Sequence, residues 1–324
     1  MKKNGNIKIF DYLVTTIFFV GTFLFTGALL AYLGDFFYAK TFGENSFEYK
    51  AALAQVDTGT FFGDLPEEKN DKSLFSYQIK DQNDLSLSAQ AYLVSDLETG
   101  EVILSKNKDF PVPIASITKL MTALVSLETI NPKEKIGISS IALATYGDSA
   151  DFKAGDELNF ETILYPLLLE SSNDAAEALA EKIGRGEFLK TMNQRALELG
   201  MISTHFEDPS GLSPLNVSSA EDLLKLTDYI YHNQSFLLDI TKLKKYQWGR
   251  FSWLNRNNLT EMEYYVGGKN GYTDEANRTL VSLFKLPLSE KGDRTVVLVL
   301  LGSENRQADT KKIIKYLFQS VVYR

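Results

Sequence analysis

The sequence predicts an α+β fold preceded by one membrane-spanning helix. Three observations point there. A charge-free apolar run lies close to the N-terminus. Further along, a strand hairpin is followed by a run of helices and then by three strands and a last helix. Between these regions the apolar residues change from a period near two to one near 3.6.

The elements follow in chain order. Tyr12 to Leu33 reads "YLVTTIFFVGTFLFTGALLAYL". Those roughly 22 positions make a helix about 33 Å long, enough to cross a bilayer core. Lys2, Lys3 and Lys8 precede it and Asp35 follows. The positive-inside bias then leaves residues 1–11 in the cytoplasm, 12–34 as the anchor, and the rest outside the cell membrane. A cleaved signal peptide would have a shorter apolar core and a small-x-small cleavage site, and a buried core helix would not carry the lysine flank. Residues 35–87 read as an extracytoplasmic spacer, polar and without sustained period.

A folded domain is expected over 88–324. "AQAYLVSDLETGEVILSKN" gives two strands around a Glu98-Thr99-Gly100 turn. In "PIASITKLMTALVSLE", Ile117, Leu120, Met121 and Leu124 form a stripe at helical spacing. Helices are expected over Phe160 to Leu169, over "NDAAEALAEKIG" to Gly184, and over "EFLKTMNQRALELG" to Gly200. In "SSAEDLLKLTDYIY", Ser218 and Glu221 have capping-box spacing. "EYYVGGKNGYT", "RTLVSLFKLP" and "DRTVVLVLLGS" read as successive strands, and the unbroken run Val296 to Leu301 suits a central strand covered on both faces. A helix over about Ala308 to Val322 completes the domain.

Composition narrows the chemistry. A net charge of -8 argues against nucleic acid as partner. With no cysteine and two histidines, thiol nucleophiles, thiolate metal sites and a three-histidine zinc centre are ruled out. His205 precedes "FEDPSG", but no G-x-S-x-G accompanies either histidine. Asp148, Asp151 and Asp156 read as loop and turn residues.

A serine–lysine pair offers another route. Ser116 and Lys119, spaced i and i+3, share a helix face and lie within hydrogen-bond reach. Such a pair can equally be two polar residues on a solvated face; "SKNK", Ser105 to Lys108, has the same spacing. A lysine acts as base only when neutral, which burial or a second cation brings about. The order of three short elements decides: Ser116-x-x-Lys119, then Ser171-x-Asn173 between two helices, then Lys269-Asn270-Gly271 on a strand.

In that order they resemble the penicillin-recognising serine peptidases, closest to the D-alanyl-D-alanine carboxypeptidase family of low-molecular-mass penicillin-binding proteins. "PIASITKLMTALV", "LLLESSNDAAEALAE", "DPSGLS" and "GGKNGYTDEAN" agree as well. The resemblance implies a β-lactamase/transpeptidase-like fold, an antiparallel sheet flanked by helices with an all-helical subregion. It also implies a substrate, the peptidoglycan stem peptide, with β-lactam antibiotics as inhibitors and no metal or cofactor. By the same resemblance Ser116 is the nucleophile, Lys119 its base, Ser171 a proton relay and Asn173 a positioning group. Lys269, Asn270, Gly271, Tyr272, Thr273 and Arg306 are implied as substrate-binding residues, with the N–H groups of Ser116 and Tyr272 as oxyanion donors. Asn270 stands where the family has threonine. A non-catalytic wall-binding scaffold and, among enzymes, a β-lactamase or D,D-endopeptidase are the rival expectations.

Overall fold

A computed structural model of the chain describes residues 77–79, 85–289 and 292–323. The expected anchor at 12–34 and most of the spacer lie outside them. Among the described residues no helix is long and apolar enough to cross a membrane.

Five antiparallel strands form the central sheet: β1 (Ala91–Asp96), β2 (Val102–Lys106), β3 (Tyr265–Thr273), β4 (Asn277–Ser289) and β5 (Gly292–Ser303). Their order across the sheet is β3-β4-β5-β1-β2. The apolar run predicted to be central is central. Val297, Val299 and Leu301 of β5 enter one core, while Val296, Leu298 and Leu300 enter a second on the opposite face. A strand covered on both faces needs no polar alternation.

The first core joins the sheet to the helices α1 (Thr118–Thr129), α2 (Phe160–Leu169), α3 (Asn173–Ile183), α4 (Arg185–Glu198), α5 (Ala220–Asn233) and α6 (Phe236–Lys242), and to Ala142 of the single turn Ser140–Leu143. The second core is closed by α7 (Arg306–Ser320), which contributes Ile313, Tyr316 and Leu317. Helices thus cover both faces of the sheet, as the α+β reading requires.

Some local expectations shift. The N-cap of α5 is Ser219, whose hydroxyl accepts from the Asp222 N–H; Ser218 belongs to a short strand, and Glu221 pairs with Lys108 instead. The α6 helix and the hairpin Lys245–Trp248/Phe251–Leu254 had no clear sequence signal. After α7 a strand, Val321–Tyr323, pairs with Tyr77–Ile79. The fold therefore reaches back into the segment read as a spacer. Trp253 is buried against Phe152 and Phe251, in line with a packing role.

Candidate active site

Three elements meet at one end of the edge strand β3. The first is the turn before α1. Ala115 has a left-handed φ of 49° and opens a single 3-10 turn, Ala115–Ile117, that runs into α1. Backbone of this kind costs about 1–3 kcal/mol and persists only where its surroundings hold it. Here the Thr279 hydroxyl of β4 donates to the Ile114 carbonyl at 2.8 Å, and the Ile114 N–H donates to the Asn216 carbonyl at 3.0 Å. The Thr118 hydroxyl donates to the Ala115 carbonyl at 2.8 Å. Ser116 is thereby presented at the surface of the cleft, with Lys119 one turn below it, fully buried.

The second element is the elbow between α2 and α3. Glu170 ends α2, Ser171 follows in the left-handed region at φ 62°, and Ser172 caps α3 by accepting from the Ala175 N–H at 2.9 Å. A residue in that conformation after a helix end is usually glycine; a serine there places a hydroxyl at the bend. Asn173 is then the first residue of α3. Its amide is fixed at both ends: Nδ2 donates to the Tyr146 carbonyl at 2.8 Å and Oδ1 accepts from Lys119 at 2.7 Å.

The third element is β3. Its Gly271 lies so close to the serine turn that a Cβ would stand 2.7 Å from the Ser116 nitrogen and 3.0 Å from the Ala115 Cβ. Only glycine fits that approach. Lys269 is buried two residues earlier and donates to the Ser171 hydroxyl at 3.0 Å and to the Asn270 carbonyl at 2.7 Å.

The contacts of Lys119 carry most of the chemistry. Its Nζ is 2.7 Å from Asn173 Oδ1, 2.6 Å from the Ser210 carbonyl and 3.0 Å from Ser116 Oγ. The first two partners can only accept. A neutral amine has two N–H donors and one lone pair. Once the donors are used on those acceptors, the lone pair is left for the Ser116 O–H. Burial pushes this lysine down to about 7, against the opposing pull of Asp208, Asp148 and Asp174. Lys269 is held well below the ordinary lysine range, first by burial and then by the Lys119, Arg306 and Arg256 cations. Desolvation, and not the Lys269 ammonium that the resemblance would make responsible, thus favours the uncharged base at Lys119. The two lysines still disfavour simultaneous protonation.

The cleft above these groups has a volume of about 680 Å³. Ser116, Ser171, Asn173, Asn270, Gly271, Tyr272, Thr273 and Arg306 all line it. Every residue expected to be catalytic or substrate-binding is therefore at this site or, for the two lysines, directly beneath it. Arg306 opens α7 and donates to the Gly271 carbonyl at 3.0 Å. Asn270, buried except at the cleft, donates from Nδ2 to the Arg256 carbonyl at 3.2 Å. Both histidines are exposed, beside Glu207 and Asp228 respectively, and apart from the cleft.

Sequence reasoning missed other members. Tyr146 and Asp148 reach the cleft from a loop, and the Asp148 carboxylate pairs with Arg256 across its wall. Asp148 is a loop residue, as expected, but one bordering the site; Asp156 pairs with Arg250 elsewhere. The Ser210 carbonyl belongs to "DPSGLS", a string that matched the family without any role attached. Among the described residues no group of side chains is arranged to hold a metal ion.

Known proteins resemble this chain over most of the folded region. A family model described as D-alanyl-D-alanine carboxypeptidase matches residues 78–305. A D-alanyl-D-alanine endopeptidase of Pseudomonas aeruginosa is 32% identical over 242 residues, covering 71% of this chain and 77% of that protein. The D-alanyl-D-alanine carboxypeptidase DacF of Bacillus subtilis is 29% identical over 261 residues, covering 74% of this chain and 64% of its own. Among solved structures, the Streptomyces K15 DD-transpeptidase superposes with a TM-score of 0.66 at 29% identity, covering 72% of this chain and 98% of that one. The match over 78–305 and the serine–lysine site together show that the chain belongs to the D-alanyl-D-alanine carboxypeptidase family of serine peptidases.

Proposed function

We propose that the protein is a D,D-carboxypeptidase that removes the terminal D-alanine of peptidoglycan stem peptides through an acyl-enzyme on Ser116. The observation that carries this reading is the Lys119 amine, with two obligate acceptors on its N–H groups and Ser116 Oγ at 3.0 Å.

In the first step the Ser116 O–H proton passes to the Lys119 lone pair while Oγ bonds to the carbonyl carbon between the two D-alanines. The carbonyl oxygen becomes an oxyanion facing the N–H groups of Ser116 and Tyr272; one such donor typically contributes about 3 kcal/mol. When the C–N bond breaks, Ser171 relays a proton to the leaving amine and D-alanine departs. Water then adds to the ester, the same groups return its proton, and the shortened peptide is released. Asn173 keeps Lys119 in line. The substrate lies along the free edge of β3 as an added strand, at Gly271 and Thr273. Lys269, Arg306 and the amide of Asn270 attract its terminal carboxylate. A β-lactam offers its own carbonyl to Ser116 and acylates it in the same way.

D-alanine release from a pentapeptide tests the reading. The wild-type chain is expected to release D-alanine and Ser116→Ala to release none; absence of release from wild type rejects a carboxypeptidase. One observation favours a second specificity, since the Pseudomonas aeruginosa relative is named an endopeptidase. Cleavage of a cross-linked dimeric stem peptide without D-alanine release from the pentapeptide would select it. The scaffold reading is not favoured by a site with this serine–lysine geometry. We place the enzyme outside the cytoplasmic membrane, tethered by the apolar run at 12–34, on the strength of that run and its lysine flank.

A further inference from the structure

Asp208 is a buried carboxylate that touches neither Ser116 nor Lys119 by a hydrogen bond, yet it accepts six. Oδ1 takes the Ser210 N–H at 2.7 Å, the Ser210 hydroxyl at 2.8 Å, the Gly211 N–H at 2.6 Å and the Leu212 N–H at 3.3 Å. Oδ2 takes the Ser213 N–H at 2.6 Å and Asn216 Nδ2 at 2.8 Å. One side chain thus organises the turn 208–213 from inside.

That turn is pressed onto the serine turn. A Cβ on Gly211, whose φ is 85°, would stand 2.0 Å from the Ala115 carbonyl oxygen. The Thr122 hydroxyl of α1 donates to the Pro209 carbonyl at 2.6 Å, and the next carbonyl, Ser210, accepts from Lys119 at 2.6 Å. The Ser210 carbonyl is one of the two acceptors that occupy the amine's N–H groups.

Resting on the function proposed above, we infer that Asp208 is a positioning residue for acylation. Its carboxylate folds the 208–213 turn so that the Ser210 carbonyl orients the Lys119 lone pair toward Ser116. The role needs an ionised carboxylate. An asparagine with its oxygen toward Ser210 and Gly211 would turn its NH₂ toward the Ser213 N–H and Asn216 Nδ2, setting donor against donor. Burial alone would raise the Asp208 carboxyl, but the bonds from Ser213, Ser210 and Gly211 outweigh it and hold it below the ordinary range. Asp208 also acts on Lys119 through charge. The charges that act on this amine are the carboxylates of Asp208, Asp148 and Asp174, which favour the ammonium, while the Lys269 amine and Lys119 disfavour being charged together.

The test is the rate of acylation of the full chain by a fluorescent penicillin, from pH 5 to pH 9, in wild type, Asp208→Asn and Ser210→Ala. Asp208→Asn is expected to lower the plateau rate about tenfold or more through misplacement of the amine. Loss of the carboxylate is also expected to move the midpoint of the rising limb to lower pH, since an anion that favoured the ammonium is gone. Ser210→Ala keeps the carbonyl and removes one donor to Asp208; it is expected to slow acylation about threefold, the scale of one hydrogen bond. A plateau within twofold of wild type, or an unmoved midpoint, in Asp208→Asn overturns the inference. Should that variant fail to fold, Ser210→Ala decides: slower acylation supports the inference and a wild-type rate overturns it. A wild-type chain that takes no label overturns the functional proposal as well, whereas a labelled wild type matched by Asp208→Asn overturns only this one.

Discussion

At the scale of the residue, burial of Lys119 couples activity to stability. An amine at about 7 in the folded protein and near 10.5 when exposed binds fewer protons folded than unfolded between those values. Stability therefore rises with pH through that window, by up to about 1.4 kcal/mol per unit, and the full cost of burying the ammonium is present below it. Replacing Lys119 by methionine removes a charge that the fold must desolvate. Lys119→Met is expected to abolish penicillin labelling and to flatten the rise of Tm between pH 7 and pH 10; a pH dependence of Tm equal to wild type in calorimetry would contradict the burial argument. In the wild type, acylation is expected to climb as pH rises through about 7, following the neutral fraction of Lys119. A pH profile flat between 5 and 8 would show that this amine is not the base.

At the scale of the element, the site is made where secondary structure is interrupted. Ser116 sits in a strained turn before α1, Ser171 and Asn173 at the α2–α3 elbow, and Lys269 on an edge strand that glycine lets approach the serine. Gly271→Ala is expected to cut penicillin acylation by a hundredfold or more, because the added methyl would displace the Ser116 N–H, which we propose faces the reacting carbonyl. Labelling at the wild-type rate would mean that β3 gives way without disturbing the serine. Much of this was legible beforehand. The helix stripe around Ser116, the break at Ser171-Ser172-Asn173 and the strand carrying Lys269 each have local signals. The cap of α5 slipped by one residue because two serines adjoin and spacing alone cannot choose between them. Tyr146, Asp148, Ser210 and Arg256 carried no signal of a role, since they act through backbone carbonyls or through pairs distant in sequence. Chemistry of that kind depends on where the chain passes and less on which side chain it bears.

At the scale of the molecule, the order of elements predicted the α+β class, and the apolar run of β5 predicted its place between two cores. The pairing of Tyr77–Ile79 with Val321–Tyr323 was not predictable, because three-residue strands so far apart in sequence leave no periodic pattern. The first described strand begins at Tyr77. A fragment starting at residue 70 is expected to melt several degrees above one starting at 85, since only the longer one can form that pairing; equal melting temperatures would assign the strand no part in stability. All of these levels serve one claim, that Ser116 is a nucleophile made reactive by an uncharged lysine. Mass spectrometry of the full chain after incubation with benzylpenicillin tests it most directly. One intact penicilloyl adduct is expected on the peptide that contains Ser116, and none in Ser116→Ala. No adduct, or an adduct on Ser171 in place of Ser116, would contradict it.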